Sequence, residues 1–331
     1  MTLTGFVLLY IAATIAIGVI AATRVKNTSD FALAGRSLPL PMVITATFAT
    51  WFGSETILGL PGRFIESGIA GVIEEPFGSG MALILVGTFF AHKLYKQNIL
   101  TLGDYYRDRY GRSVELLCSV AIVISYLGWV GAQVTALGLV INLITEGAVS
   151  MTTGMVIGAA VVLAYTMVGG MWSVAMTDFV QMIVIVVGLV AILWFATDLA
   201  GGMDKVVDYA RGRDLFHAFP EPTTTGWLFW ISAAMTMMIG SIPQQDVFQR
   251  VMSAKNLPTA VAGPILGGSF YILFAFVPMF IVVAAILVMP DAAEKMLSED
   301  PQQLLPTLVR DYMPMWLRVV FFGAVLSAVM S

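Results

Sequence analysis

The sequence predicts an all-α polytopic membrane protein, and three observations carry that prediction. The 331 residues are 58% hydrophobic and only 11% charged, whereas a water-soluble domain carries about a quarter charged residues. Mean hydropathy is +0.87. The apolar residues gather into runs of the length, about 20, that a helix needs to cross a bilayer with every backbone group bonded internally. The same composition excludes disorder, a collagen-like repeat and a disulfide scaffold, because glycine has no triplet period and Cys118 is the one cysteine. Only two histidines occur, His92 and His217, far apart in the chain. A histidine-built metal centre or a Ser/His/Asp triad therefore lacks raw material, and the chain is not read as an enzyme. A pI near 5.2 argues against nucleic-acid binding, which needs a basic face.

Nine spans follow in order. The first, 4–22, is followed rather than preceded by Arg24 and Lys26, the wrong polarity for a secretory signal peptide, so it reads as a retained anchor. The second, 39–62, is interrupted by Ala49-Thr50-Trp51-Phe52-Gly53-Ser54-Glu55-Thr56 and then by Gly59-Leu60-Pro61-Gly62. Spans 72–92 and 115–145 follow, with Glu74 and Glu75 at the start of the first read as belonging to the loop before it. The stretch from Gly147 to Thr177 is too long for one straight helix, so it is split at Val168-Gly169-Gly170 into 149–167 and 172–198. The seventh, 225–249, is interrupted by Gly240-Ser241-Ile242-Pro243-Gln244-Gln245-Asp246, and the eighth covers 258–289. The ninth, 313–331, ends in the apolar run Val319 to Ser331 with no polar flank, so a longer, C-terminally extended protein is expected.

Loop charge gives a direction. Arg24, Lys26 and Arg36, then Lys93, Lys96, Arg107, Arg109 and Arg112, then Arg250 and Lys255 fall on one side. The opposite loops carry mostly acids, including Glu66, Glu74, Glu75, Asp198, Asp204 and Asp291. The positive-inside rule makes the first side cytoplasmic and places the N-terminus outside.

The two interrupted spans carry the functional reading. Proline and glycine open the helical ladder, and carbonyls released there can bind a cation, although Gly and Pro also make ordinary kinks in membrane helices. The interrupted spans lie five apart, and broken helices in corresponding places of two halves point to a secondary-transporter site. Glu55, a carboxylate within a span, is a functional candidate by default: it could bind a cationic substrate, carry a coupling proton or reach the outer mouth. Gln133, Gln244 and Gln245 are polar groups at plausible midplane depth. Trp51, Phe52 and Trp129 could cover a ligand or cradle a quaternary amine, or be packing and interfacial aromatics. Asp178, read as lying at a helix start, would be stabilised there by the macrodipole, which also makes it a plain cap. The many methionines read as pliable packing.

Several runs resemble the sodium:solute symporter family across essentially the whole chain. They are Phe31-Ala32-Leu33-Ala34-Gly35-Arg36-Ser37-Leu38, Gly59-Leu60-Pro61-Gly62, Tyr165-Thr166 to Gly169-Gly170-Met171-Trp172, Thr177-Asp178-Phe179-Val180-Gln181, and Gln249-Arg250 to Ala254-Lys255. Trp51, Trp129 and Gly240-Ser241-Ile242-Pro243 look most like the choline-transporter branch. The resemblance implies a leucine-transporter-like core of inverted five-helix repeats, preceded by one extra helix at 4–22. The first repeat would be 39–198, and 225–331 an incomplete second. It implies Na+ as coupling ion and no organic cofactor. The ion would be held by the carbonyls of Ala49 and Phe52 with Ala328 and Ser331, and Asp178 would serve its release. Oxygen donors suit such a hard cation. In choline carriers a tryptophan follows the proline of the seventh span, whereas Gln244 stands here, so choline itself is not implied. The expected function is sodium-coupled uptake of a small organic solute (amino acid, carboxylate or quaternary amine) across the plasma or inner membrane. A proton-coupled symporter and the membrane input module of a sensor kinase are the alternatives.

Overall fold

The computed structural model describes residues 3–330 and places a helix in each of the nine apolar windows. They are α1 (Leu3–Ala22), α2 (Leu40–Trp51), α3 (Leu60–Gly71), α4 (Ile73–Gln97), α5 (Arg112–Ile144), α6 (Met151–Leu199), α7 (Thr224–Gly240), α8 (Gln245–Met252), α9 (Leu257–Val288) and α10 (Met315–Met330). Among the described residues five stretches are long and apolar enough to cross a membrane, and six if the bent pair α7 and α8 counts as one span. Leu40–Trp51, Met151–Ala164 and Met315–Met330 are shorter apolar helices. Starts are chemically marked. The Ser150, Thr223 and Asn256 side chains accept the amides of Thr153, Gly226 and Thr259, satisfying donors that have no partner within the helix.

Segments read from sequence as plain loops contain further helices: Leu102–Tyr110, Met203–Gly212, Pro290–Glu299 and Leu304–Tyr312. They are short and amphipathic, so a search for long apolar runs passes over them. The first has a capping box between Thr101 and Asp104.

Both predicted interruptions exist. α2 stops at Trp51; Phe52 leaves helical geometry (φ −82°, ψ 70°), and the Gly53 amide turns to the Trp51 carbonyl at 3.0 Å. The chain resumes in a wide π turn, Glu55–Gly59, that runs into α3. The second limb is longer than expected, ending at Gly71 rather than Gly62, because Pro61 sits in the first turn of α3, where a proline costs no hydrogen bond. α7 and α8 meet at 46° across the turn that contains Pro243.

The split expected near 168–170 is a single residue. α6 runs for 49 residues, with only Gly170 outside helical geometry (φ 50°, ψ −142°). A Cβ on Gly170 would overlap the carbonyl oxygen of Phe31. Gly170→Ala is therefore expected to lower stability by about 1–3 kcal/mol, read as a fall in the melting midpoint of the purified protein, while Gly212→Ala, with open space around it, stays near neutral.

α9 lies at the centre, packed against α2 and α4 through glycines. A Cβ on Gly267 would sit 3.1 Å from the Ile44 carbonyl of α2, and one on Gly268 would sit 2.6 Å from the Gly80 carbonyl of α4. Helices associate in lipid by such close backbone approach. Beside this seam the rings of Phe48, Phe52, Phe270, Tyr271 and Phe274 form one buried cluster, with Phe48 and Phe52 stacked at 4.8 Å.

The motif runs converge at one end of the bundle. Gln249 donates to the Ala32 carbonyl, and Gly170 lies under the Phe31 carbonyl. Leu38 pairs with the segment after α8, its amide to Ser253 O (3.0 Å) and its carbonyl from Lys255 N (2.9 Å). Arg36 donates to the Tyr95 carbonyl (2.7 Å) and lies 4.0 Å over the Tyr95 ring, whose hydroxyl donates to Ala254 O (2.9 Å).

Candidate functional site

The two interruptions open onto the same cleft, of about 370 Å³. Gly53 and Ser54 reach it from the first break, and Gln244 and Asp246 from the second. One face of α5 closes it, since Ser125, Trp129 and Gln133 recur at a spacing of four residues. Gln133 straps the first break: its Oε1 accepts the Ser54 hydroxyl at 3.0 Å and lies 3.5 Å from the Ser54 amide. Nearby, Glu55 pairs with Arg63, and the space for that carboxylate exists because residue 59 is glycine, where a Cβ would lie 2.8 Å from Glu55 Oε2.

Of the solute candidates, Trp51, Glu55, Trp129, Gln133 and Gln244 line this cleft. Gln245 does not. It is the first residue of α8, and one step along a helix rotates a side chain by about 100°; its Oε1 accepts the Leu102 amide at 2.9 Å instead. The Phe52 ring does not face the cleft either, since it is buried in the aromatic cluster, where it anchors the peptide at the break.

Of the ion candidates, Ala49 and Phe52 occupy the end of α2 and are buried (3% and 0% exposed). Ala328 is buried in α10, and it shares with Phe52 one contiguous apolar core. α10 packs on α6, α5 and α1, and Tyr10 of α1 bonds the hydroxyl of Ser327. Ser331 lies outside the described residues. Asp178 is not at a helix start: it sits eight residues past Gly170, inside the second limb of α6. The cap explanation therefore fails. The side chain is fully buried, and neither carboxylate oxygen has a hydrogen-bond partner among the described residues. Gln181, one turn on, is likewise buried with both amide atoms unpartnered.

Sequence reasoning missed the acid that the structure places most deliberately. Glu75, assigned to a loop, lies in the first turns of α4 and lines the cleft. Tyr271 donates to its Oε1, as does Thr56 at 3.2 Å, and the two hydroxyls lie 3.1 Å apart. Asp246 was quoted only as part of the second interruption. Its Oδ1 accepts the Tyr126 hydroxyl at 2.6 Å, and its own amide donates back to that hydroxyl at 3.1 Å. No local sequence signal distinguishes these acids from loop carboxylates, because their partners come from distant helices.

The profile of the sodium:solute symporter family matches residues 31–331. The chain belongs to the sodium:solute symporter family. Similar relatives are the human high affinity choline transporter 1 (29% identity over 95% of this chain and 56% of that protein) and the Caenorhabditis elegans high-affinity choline transporter 1 (28%, 92% and 53%). Zebrafish, Danio rerio, sodium/glucose cotransporter 4 is 26% identical over 98% of this chain and 54% of that protein. The chain thus spans about half the length of the curated relatives it matches. The substrate-bound outward-open structure of a sodium-coupled sialic acid symporter superposes with a TM-score of 0.85 at 19% identity, over 100% of this chain and 70% of that one. The likeness shows the fold, an all-α, leucine-transporter-like architecture, and family membership together with the several long apolar helices makes the chain a multi-pass membrane protein.

Proposed function

We propose that this chain forms the ion- and solute-binding part of a symporter that couples inward movement of sodium to uptake of a small organic solute by alternating access. The observation that carries the reading is that both broken spans border a single cleft large enough for a small molecule. Family membership and relatives named as choline transporters and sodium/glucose cotransporters support it.

In this reading residues 39–198 form the first repeat, 225–331 begin the second, and 4–22 is an added helix with its N-terminus outside. Sodium is held by the carbonyls of Ala49 and Phe52 together with Ala328 and Ser331, and Asp178 assists its departure. Trp51, Glu55, Trp129, Gln133 and Gln244 face the solute. A membrane potential near 100 mV contributes about 2.3 kcal/mol per charge moved, which alone favours roughly fiftyfold accumulation. No covalent chemistry is needed.

The test is uptake by the full-length protein in vesicles, with amino acids, carboxylates and quaternary amines as radiolabelled probes. Replacing external sodium with potassium is expected to reduce accumulation to the level of protein-free vesicles. Uptake that persists in potassium but collapses with the proton gradient would assign the coupling to protons, and a full-length protein carrying a kinase domain without uptake would make it a sensor.

A further inference from the structure

The cleft is strongly unbalanced in charge. Glu55, Glu74, Glu75 and Asp246 line it against the single cation Arg63, and Arg63 is already paired with Glu55. An anionic solute would enter against the three carboxylates that Arg63 leaves without an ion pair, and a neutral one would leave them without a counter-charge.

Asp246 differs from the other three in how it is held. It lies in the first turn of α8, where the helix dipole favours a negative charge. The two bonds with Tyr126 fix the carboxylate and engage Oδ1. Oδ2 has no hydrogen bond, and no lysine or arginine forms an ion pair with this side chain among the described residues. Asp246 therefore lines the cleft with one carboxylate oxygen held by Tyr126 and the other without a hydrogen bond among the described residues. Gln133, also lining the cleft, is only 7% exposed; its Oε1 is taken by Ser54, while its Nε2, a donor, has no partner among the described residues. The Trp51 Nε1–H is buried and, among the described residues, unpartnered as well. The site thus offers one charged acceptor and separate donors.

We propose that Asp246 is the specificity-determining residue of this cleft, and that the solute is a protonated amine that also carries an oxygen acceptor. This rests on the reading of the cleft as the solute site and names the class that the site selects. An N–H of the ammonium group satisfies Oδ2, and the solute oxygen accepts from Gln133. A quaternary ammonium ion has the charge but no N–H, so it leaves Oδ2 desolvated without a partner. A site built to hydrogen-bond a group discriminates strongly against an analogue that lacks it.

Ethanolamine and choline differ only in three N-methyl groups, so they isolate this point. The full-length protein in proteoliposomes with an inward sodium gradient is given ethanolamine, choline, glucose or acetate at equal concentration. Ethanolamine uptake is expected to exceed choline uptake by about tenfold or more, and Asp246→Asn to raise the KM for ethanolamine by about tenfold while Asp246→Glu retains most of the uptake. Preference for choline, glucose or acetate, or an unchanged KM in Asp246→Asn, overturns the proposal and leaves sodium coupling standing. Absence of sodium-stimulated uptake of all four probes also overturns it. In that case a sodium-dependent rise in melting midpoint would preserve the symporter reading, and its absence would remove that reading too. If Asp246→Asn does not fold, the wild-type ratio of ethanolamine to choline decides alone.

Discussion

Replacing Tyr271 with phenylalanine should lower the unfolding free energy by about 2–3 kcal/mol, because the change removes one oxygen and strands a carboxylate. The Tyr271 side chain is fully buried in α9, and its hydroxyl serves Glu75 on α4 and Thr56 in the π turn after the first break. Phenylalanine keeps the ring packing of the cluster with Phe48 and Phe52, so the loss is confined to the polar contact. A hydrogen bond to a charged group contributes more than a neutral one, and its removal leaves Glu75 with Thr56 alone. The check is a double-mutant cycle on melting midpoints with Glu75→Gln. If the contact is as described, the double variant loses less than the sum of the two singles, with a coupling of about 1–2 kcal/mol. Additive losses would mean that the pair does not interact in the folded protein.

A larger effect is expected from Gly268→Val. The new Cβ would stand 2.6 Å from the Gly80 carbonyl and 2.8 Å from Leu83 Cβ, and the first of these is backbone that cannot rotate away. α4 and α9 must separate, which breaks the interdigitation along the whole seam, including the site where a Cβ on Gly80 would lie 3.0 Å from the Gly268 carbonyl. Overpacking a tight site costs about 1–3 kcal/mol and sometimes more, and here the relief is a helix displacement, so a loss of about 3 kcal/mol or failure to accumulate is expected. Leu266→Ala, two residues away on an exposed face (46% exposed), should shift the melting midpoint little. Similar losses for the two variants would show that α9 is sensitive to any substitution rather than to contact at Gly268.

These two positions show which parts of the molecule could be read from sequence. The breaks after Trp51 and before Gln245 were legible because Gly53, Ser54 and Pro243 interrupt apolar helices with local chemistry that needs no tertiary information. Gly170 was legible for the same reason. Glu75 was not, because the groups that make it part of the cleft come from elsewhere in the chain, Tyr271 being 196 residues away. The placement of Asp178 at a helix start, which allowed a plain cap as one explanation, does not hold, because the limb begins after Gly170 and Asp178 lies eight residues past that break. Gln244 and Gln245 are identical to a sequence reader, and only the direction in which α8 begins sends one to the cleft and the other to Leu102. Periodicity finds helices, but which face of a polar helix start meets a cavity depends on the neighbours.

The backbone pairing of Leu38 with Ser253 and Lys255 has a mechanical consequence. Two peptide hydrogen bonds, independent of side-chain identity, tether the approach to α2 to the exit from α8. The α2 and α8 limbs of the two discontinuous spans are thereby yoked as one lever arm, so a tilt of the first would drag the second with it and carry both rims of the cleft together.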